Sequence, residues 1–443
     1  MPALLTDRTE KIMKTTKSIG LLLLILTGTL HSACGEDLST NINPALLYYR
    51  SFLLSPKGSQ WDKDSDYLYT NNWQVPHLTE RFGSIVSNYD STLTLVRQAA
   101  SQKVPCDWGI DLNLRGPETL LPHLADAKRA ASAARYQAMW DLQNGNQAEA
   151  RDDLLAALAL GRNVSKDGTV ISALVQIAIE SIVCGTIAEN FHRFSPETLQ
   201  QLADGFDAAP PRGTIAASIS GEKAIREWAL SRIEDAQKKY LEDNAKALHA
   251  VRPILQNPIL QSPVSQSGYE DWEQLTNAGG GTIDGMNKLL RSTEPLYAKL
   301  ATIMALPYSE YEGRFKYESQ PQNLQDKFQA SANPFILQDL PVMQSCRRRE
   351  FAIEVDLAIV RAAIEYKLHG EAGLKSVTDP CGNGPFTLRR FAFDGIDRGF
   401  ELQSPFTRGK GPETCIFVET DGPPFIVLGT KPGQPVAQWP VTR

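Results

Sequence analysis

The sequence predicts a mainly α-helical protein: an antiparallel helical-hairpin body followed by a small α+β C-terminal region. Three observations predict it. Apolar residues recur three and four positions apart through long runs of good helix formers, best defined over residues 117–207. Short breaks such as Asn144-Gly145-Asn146 separate these runs, and short connections make neighbouring helices antiparallel. After Gly370 the pattern changes to short apolar runs divided by Asp-Gly and Gly-Pro turns, which read as strands.

The elements follow in order. Ala45-Leu46-Leu47-Tyr48-Tyr49 and Phe52-Leu53-Leu54 fall on helical spacing, so residues 41–55 read as a helix. Pro56, Gly58 and three aspartates make 56–80 a loop, and a second helix covers 88–102. Cys106-Asp107-Trp108-Gly109, with Gly116-Pro117, is a turn-rich hinge. Helices then span 121–142 and 148–160. A third, over 169–191, is apolar on nearly every side, the mark of a helix in the middle of a bundle. Gln176, Glu180 and Glu189 argue against its crossing a membrane. Ser195-Pro196-Glu197 opens the next helix, with a capping serine and a proline at the first helical position. A charged amphipathic helix over 221–248 points Ile225, Trp228, Ala229, Ile233, Ala236 and Tyr240 inward. Prolines and Gly279-Gly280-Gly281 make 252–286 a loop, with short helices expected at 286–303 and 319–329. Phe351, Val355, Ala358, Ile359, Ala362 and Tyr366 align along a helix over 346–369, and strand-like runs follow at 387–391, 399–402 and 415–418.

The chain has 443 residues, 42% hydrophobic and 22% charged, with a formal net charge of −6. That composition excludes wholesale disorder and argues against a nucleic-acid-binding surface. At the N-terminus, Ile19–Leu30 is too short for a bilayer-spanning helix of about 20 residues and suits the apolar core of an export signal. Asp7 and Glu10 do not suit the basic flank of such a signal, whereas a start at Met13 gives Met13-Lys14-Thr15-Thr16-Lys17-Ser18 directly before the leucines. The expected division is a signal over 1–33, a helical body over 34–345 and a C-terminal region over 346–443. The destination is then the periplasm or a membrane surface.

Six cysteines, Cys34, Cys106, Cys184, Cys346, Cys381 and Cys415, would meet an oxidising compartment. Cys184, between apolar neighbours, reads as a small buried hydrophobe. Cys381 and Cys415 are the candidate disulfide in the turn-rich C-terminal part, with Cys106 and Cys346 left over; sequence does not determine connectivity.

Motifs that carry chemistry are sparse. No His-Glu-x-x-His, Cys-x-x-Cys or Gly-x-Ser-x-Gly occurs, and no two of the six histidines are spaced i, i+4. His123, after Pro122, reads as a locally bonded helix-start residue. Ser220-Gly221-Glu222-Lys223 fits the Ser-x-x-Lys signature of penicillin-binding enzymes, but Ser-Asp-Asn and Lys-Thr-Gly are missing, and a helix N-cap at Ser220 is the better reading. Gly279–Gly285 has neither the preceding strand nor the lysine of a phosphate-binding loop. Glu222 and Glu227 do not share a helix face, so paired-carboxylate chemistry is unsupported. Asp379-Pro380-Cys381-Gly382-Asn383-Gly384 offers oxygens for calcium but reads better as an Asp-stabilised turn. Arg347-Arg348-Arg349 reads as a solvated face. These residues assign no catalytic group, no metal and no cofactor.

Four resemblances add to this. Ser32-Ala33-Cys34 resembles a bacterial lipobox, which implies lipidation of Cys34 and anchoring through acyl chains; His31 departs from the usual leucine, and cleavage after Gly35 is the alternative. The stretch 134–161 resembles half of a tetratricopeptide repeat in the spacing of Gly145, Ala150, Leu154, Ala157 and Leu158, with no second copy evident. Asn43-Pro44-Ala45-Leu46-Leu47-Tyr48-Tyr49, Cys106-Asp107-Trp108-Gly109 and Leu154–Arg162 look like a family of exported helical proteins from planctomycete-like and related bacteria, which implies location and helical character but no activity. Residues 352–404 are similar to the C-terminal tails of those proteins and of type II pseudopilins, through Tyr366, His369-Gly370, Asp379-Pro380, Gly384-Pro385-Phe386 and Gly399–Ser404. The methylated N-terminal helix of pseudopilins has no counterpart here, so a role in a pilus is not expected.

Two function classes remain. One is an exported, lipid-anchored scaffold that binds a protein or peptide in a groove of its helical body, without catalysis. The other is an envelope hydrolase whose residues come together from separate helices. Oligomeric state is left open.

Overall fold

The computed structural model describes residues 42–70, 77–255, 270–318, 333–393, 396–407 and 411–420. The export signal, Cys34 and the expected helix at 319–329 lie outside them. The chain divides into two units. Of the first, Met1–Ile42 with Gln102–Val104, few residues are described; everything below concerns the second, Asn43–Ser101 with Pro105–Arg443.

The chain is mainly helical with a small antiparallel sheet near its C-terminus, as expected. The first helices are α1 (Pro44–Leu54), α2 (Ser59–Thr70), α3 (Glu80–Val86), α4 (Asp90–Ala100) and α5 (Leu112–Arg115). The central hairpins are α6 (Pro122–Gln143), α7 (Gln147–Val164), α8 (Val170–Glu189) and α9 (Pro196–Ala208). Then come α10 (Ile215–Lys239), α11 (Asn244–Leu255), α12 (Glu270–Ala278), α13 (Ile283–Arg291), α14 (Glu294–Met304), α15 (Tyr308–Glu318) and α16 (Pro334–Ser376). Strands β1 (Thr387–Phe393), β2 (Ile396–Thr407) and β3 (Pro412–Val418) close the described chain.

Local chemistry fixes the hairpins. Between α7 and α8 the turn ends on Gly168 at φ +77°, a left-handed conformation that an L side chain rarely adopts. Thr169 then caps α8, its side chain accepting from the Ser172 N–H at 3.1 Å. Ser195 caps α9 with Pro196 at its first position, as the sequence indicates. The caps differ from expectation at α10: Thr214 caps it, accepting from the Ala217 N–H at 3.0 Å, and Ser220 lies exposed inside the helix. The helix begins earlier because Ile215 is buried and its N–H reaches Glu350 Oε1 at 3.0 Å. Residues 59–70, expected as loop, form α2, which Leu68 and Tyr67 tie to its neighbours: Leu68 is buried against α3 and α6, and the Tyr67 ring lies 4.1 Å from the Arg81 guanidinium.

One core runs from α1 through α4, α6–α9 and α16 into the sheet. Two smaller clusters lie beside it. One joins α10–α13 and the start of α16 around Ile233, Val251 and Met286; the other joins α2, α3 and α6 around Phe82 and Met139. Helix α16 begins before residue 346 and is two helices joined at Gly370 (φ +64°, ψ −148°). The sheet is a β1-β2-β3 meander with Leu388 opposite Leu402 and Leu402 opposite Cys415. Phe400 and Phe417 stack at 5.2 Å, and Phe191, just past α8, meets both edge-on at 5.8 and 5.0 Å. Tyr366 of α16 meets Phe400 at 4.9 Å, so the sheet docks where α8 ends and α16 passes.

Candidate functional site: a groove between α8 and α16

Helix α8 has two different sides. The inner side carries polar groups that the sequence could not pair. Glu180 is fully buried and accepts from Arg162 Nε at 3.3 Å and from Arg212 Nε at 2.9 Å. Gln176 exchanges two hydrogen bonds with the backbone of Gly213, accepting from its N–H at 2.9 Å and donating to its carbonyl at 3.2 Å. Arg212 continues to Glu354 at 3.6 Å, and Arg347 bonds Glu354 at 3.2 Å and also Glu350. Arg347 further donates to the Leu306 carbonyl at 3.0 Å and lies 3.8 Å over the Phe351 ring. Three guanidinium groups thus alternate with three carboxylates, tying α7, α8, the α9–α10 connection and α16 together. In the core such pairs hold only when every member is matched. Arg347, expected on a solvated face, is therefore buried; Arg348 and Arg349 remain exposed.

The outer side of α8 is incompletely covered. Leu174, Ile177, Ala178 and Ser181 form one wall of an open cavity of about 600 Å³. Pro341, Gln344, Ser345, Arg348, Arg349 and Ala352 of α16 form the other. The spacing on each wall is three to four residues, one face of each helix. Arg348 is half exposed and 3.8 Å from Glu312, while Arg349 has no ion pair among the described residues. The α8 wall is mostly apolar, whereas Gln344, Ser345, Arg348 and Arg349 make the α16 wall mostly polar and cationic, and the size is within the range of small-molecule pockets.

A second cavity, of about 310 Å³, contains the turn singled out as a calcium candidate. Asp379 Oδ1 accepts from the Cys381 N–H at 2.8 Å and the Asp379 N–H donates to the Gly384 carbonyl at 3.0 Å, so the residue builds an Asp-stabilised turn. No group of three His, Cys, Asp or Glu suited to a metal occurs among the described residues.

The structure does not join Cys381 to Cys415: Cys106, Cys184, Cys346, Cys381 and Cys415 are all free thiols. Cys415, on β3, is buried with Cys184 and Asp356 as its electrostatic neighbours, whereas the Cys381 thiol is surrounded by Asp379, Glu354 and Arg347. Burial pushes all five thiols up, Cys106 to about 12, so none is a ready nucleophile.

The three segments that carry the family resemblance meet in the core. Asn43 caps α1, accepting from the Ala45 N–H at 3.1 Å. It also clasps Asp107, donating to its carbonyl at 2.6 Å and accepting from its N–H at 3.1 Å. The Trp108 indole N–H donates to the Asn163 carbonyl at 2.8 Å, and the Asn163 amide donates to the Tyr48 hydroxyl at 3.1 Å. His123 stacks on Trp108 at 4.4 Å and meets Asp167 at 3.2 Å. The ring is fully buried; its Nε2 is bonded to a residue distant in sequence rather than locally, and its Nδ1 has no hydrogen-bond partner among the described residues. These residues clamp α1, the hinge and α7; they do not form an open site.

The remaining sequence candidates disperse. Lys223 pairs with Glu227 at 3.7 Å and Glu294 at 3.3 Å on the surface, remote in role from any nucleophile. Gly279–Thr282 is the turn between α12 and α13, where Thr282 caps α13. The groove itself was missed because its walls come from helices distant in sequence; the partly exposed apolar side of α8 was its only local signal. Comparison with models of protein families, with curated proteins and with solved structures gave no match.

Proposed function

We propose that the protein is an exported helical scaffold of the cell envelope, held at a membrane through Cys34, that binds an apolar segment of a protein or peptide partner in the groove between α8 and α16. Membership of the exported helical family belongs to the same reading. The observation that carries it is the groove: Leu174, Ile177 and Ala178 are left half-buried on its α8 wall, with Arg348 and Arg349 on the facing α16 wall. Binding is favoured over hydrolysis because, among the described residues, no His, Asp, Glu or Lys lines this groove, and those are the side chains that would activate a nucleophile there.

Ala178→Trp fills the groove from a half-exposed position. A photo-crosslinker at Ser345 in the wild-type protein is expected to capture a discrete partner from the envelope fraction, and Ala178→Trp is expected to abolish that capture with an unchanged helical circular-dichroism spectrum. Equal capture by both proteins would overturn the groove as the site. Mass analysis of the mature N-terminus tests location: an acylated Cys34 is expected, and an unmodified terminus would remove the lipid anchor.

A further inference from the structure

The outer face of α1 is apolar where a surface helix is ordinarily polar. Pro44, Ala45, Leu47, Tyr48, Ser51 and Phe52 turn into the core. The opposite side exposes Leu46 (58%), Leu53 (76%) and Leu54 (56%). Single exposed leucines need no explanation, but three on one side of an 11-residue helix do. Between them sits Arg50, which is exposed and has no ion pair among the described residues, and Lys57 is exposed just past the helix end. The helix contains no acidic residue. Apolar residues flanked by cations, with no anion among them, are the composition of a helix that lies in a membrane interface.

Position in the chain supplies the second argument. Cys34 lies shortly before Pro44, and the intervening stretch spans at most about 35 Å fully extended. A lipid on Cys34 therefore holds α1 within that distance of the bilayer. At so high a local concentration a weak surface affinity suffices, and a second contact is what turns marginal attachment into stable attachment.

We infer that this face of α1 rests on the headgroup layer of a bilayer containing anionic lipid, with Leu46, Leu53 and Leu54 in the interface and Arg50 and Lys57 against lipid phosphates. The inference rests on the export reading for its location, while the face itself does not depend on whether Cys34 is acylated.

The test uses the mature chain from residue 34 carrying Cys34→Ser, which removes both the acylation site and the apolar signal segment Ile19–Leu30. The protein is mixed with vesicles of phosphatidylcholine alone, or of phosphatidylcholine with phosphatidylglycerol, at millimolar lipid and low salt, and the vesicles are pelleted. Binding is expected with the phosphatidylglycerol vesicles and much less with the neutral ones, falling as salt is raised. Leu46→Glu with Leu53→Glu, both on exposed positions, is expected to remove most of the bound fraction without changing the circular-dichroism spectrum. Protein that stays in the supernatant with both vesicles, or a double variant that binds as well as its parent, overturns the inference. Vesicle binding by the Cys34→Ser chain alongside an unmodified native N-terminus would instead refute the lipid anchor and leave this face standing.

Discussion

Asp153 and Glu189 each face an arginine, yet burial outweighs the partner. Loss of solvent raises both carboxyls to about 7, with Arg97 pulling Asp153 down and Arg135 pulling Glu189 down by less. In the unfolded chain the same groups titrate at about 4. Between about pH 4 and 7 the folded state therefore holds protons that the unfolded state has released, and stability falls as pH rises through that window. The melting temperature is expected to drop from pH 5 to pH 7.5 on that basis. Asp153→Asn with Glu189→Gln is expected to flatten the dependence, leaving a shallower slope of the same sign, because burial also raises Asp141, Glu350 and Glu401. A double variant as steep as wild type would place the dependence elsewhere. Glu180 is a different case. Glu180→Leu strands Arg162 and Arg212 without their shared carboxylate, and urea denaturation is expected to show a loss of about 3–5 kcal/mol.

At the scale of elements, what the sequence made legible is what local periodicity encodes. Helix α8 reads as interior because it is apolar on nearly every side, and its length and composition alone would also permit a membrane span. Buried partners decide the matter: Gln176, Glu180 and Glu189 find Gly213, the paired arginines and Arg135 inside the protein. No pattern in the sequence announces those partners, since they come from α6, from α7 and from the chain after α9. The same gap explains Arg347, which looks like one of three solvated arginines until Glu350 and Glu354 of its own helix and the Leu306 carbonyl enclose it. Helix α2 went unread because its outward turns are polar and tertiary contact, not propensity, holds it. The clamp was half legible: its three segments stood out as motifs, but not that Asn43 serves α1 and the hinge at once. Asn43→Ala removes the cap and both bonds to Asp107, so it is expected to cost about 1–2 kcal/mol by chemical denaturation. Asn43→Asp, which keeps the acceptor, is expected to recover part of that loss.

At the scale of the whole molecule, the helices and the sheet are expected to unfold together. The sequence suggests a body with an appended C-terminal region, because the pattern changes abruptly after Gly370. The core crosses that change: Phe400 and Phe417 of the sheet lock against Phe191 beyond α8 and Tyr366 of α16, within the same cluster that contains Leu154 and Ile187. Interdigitated rings of this kind give the sheet no interior of its own, and a meander of three strands needs a partner surface to be stable. Phe400→Ala opens a cavity at the junction and is expected to lower stability by about 3–5 kcal/mol. Coupling makes the prediction sharper than the magnitude. Helical ellipticity and tryptophan fluorescence, to which the described Trp108, Trp140, Trp228 and Trp272 contribute from outside the sheet, should shift to lower urea by the same amount with one transition each. A variant whose tryptophan transition stayed at the wild-type midpoint would show that the sheet unfolds as a separate unit, and that the shared core does not couple it to the helices.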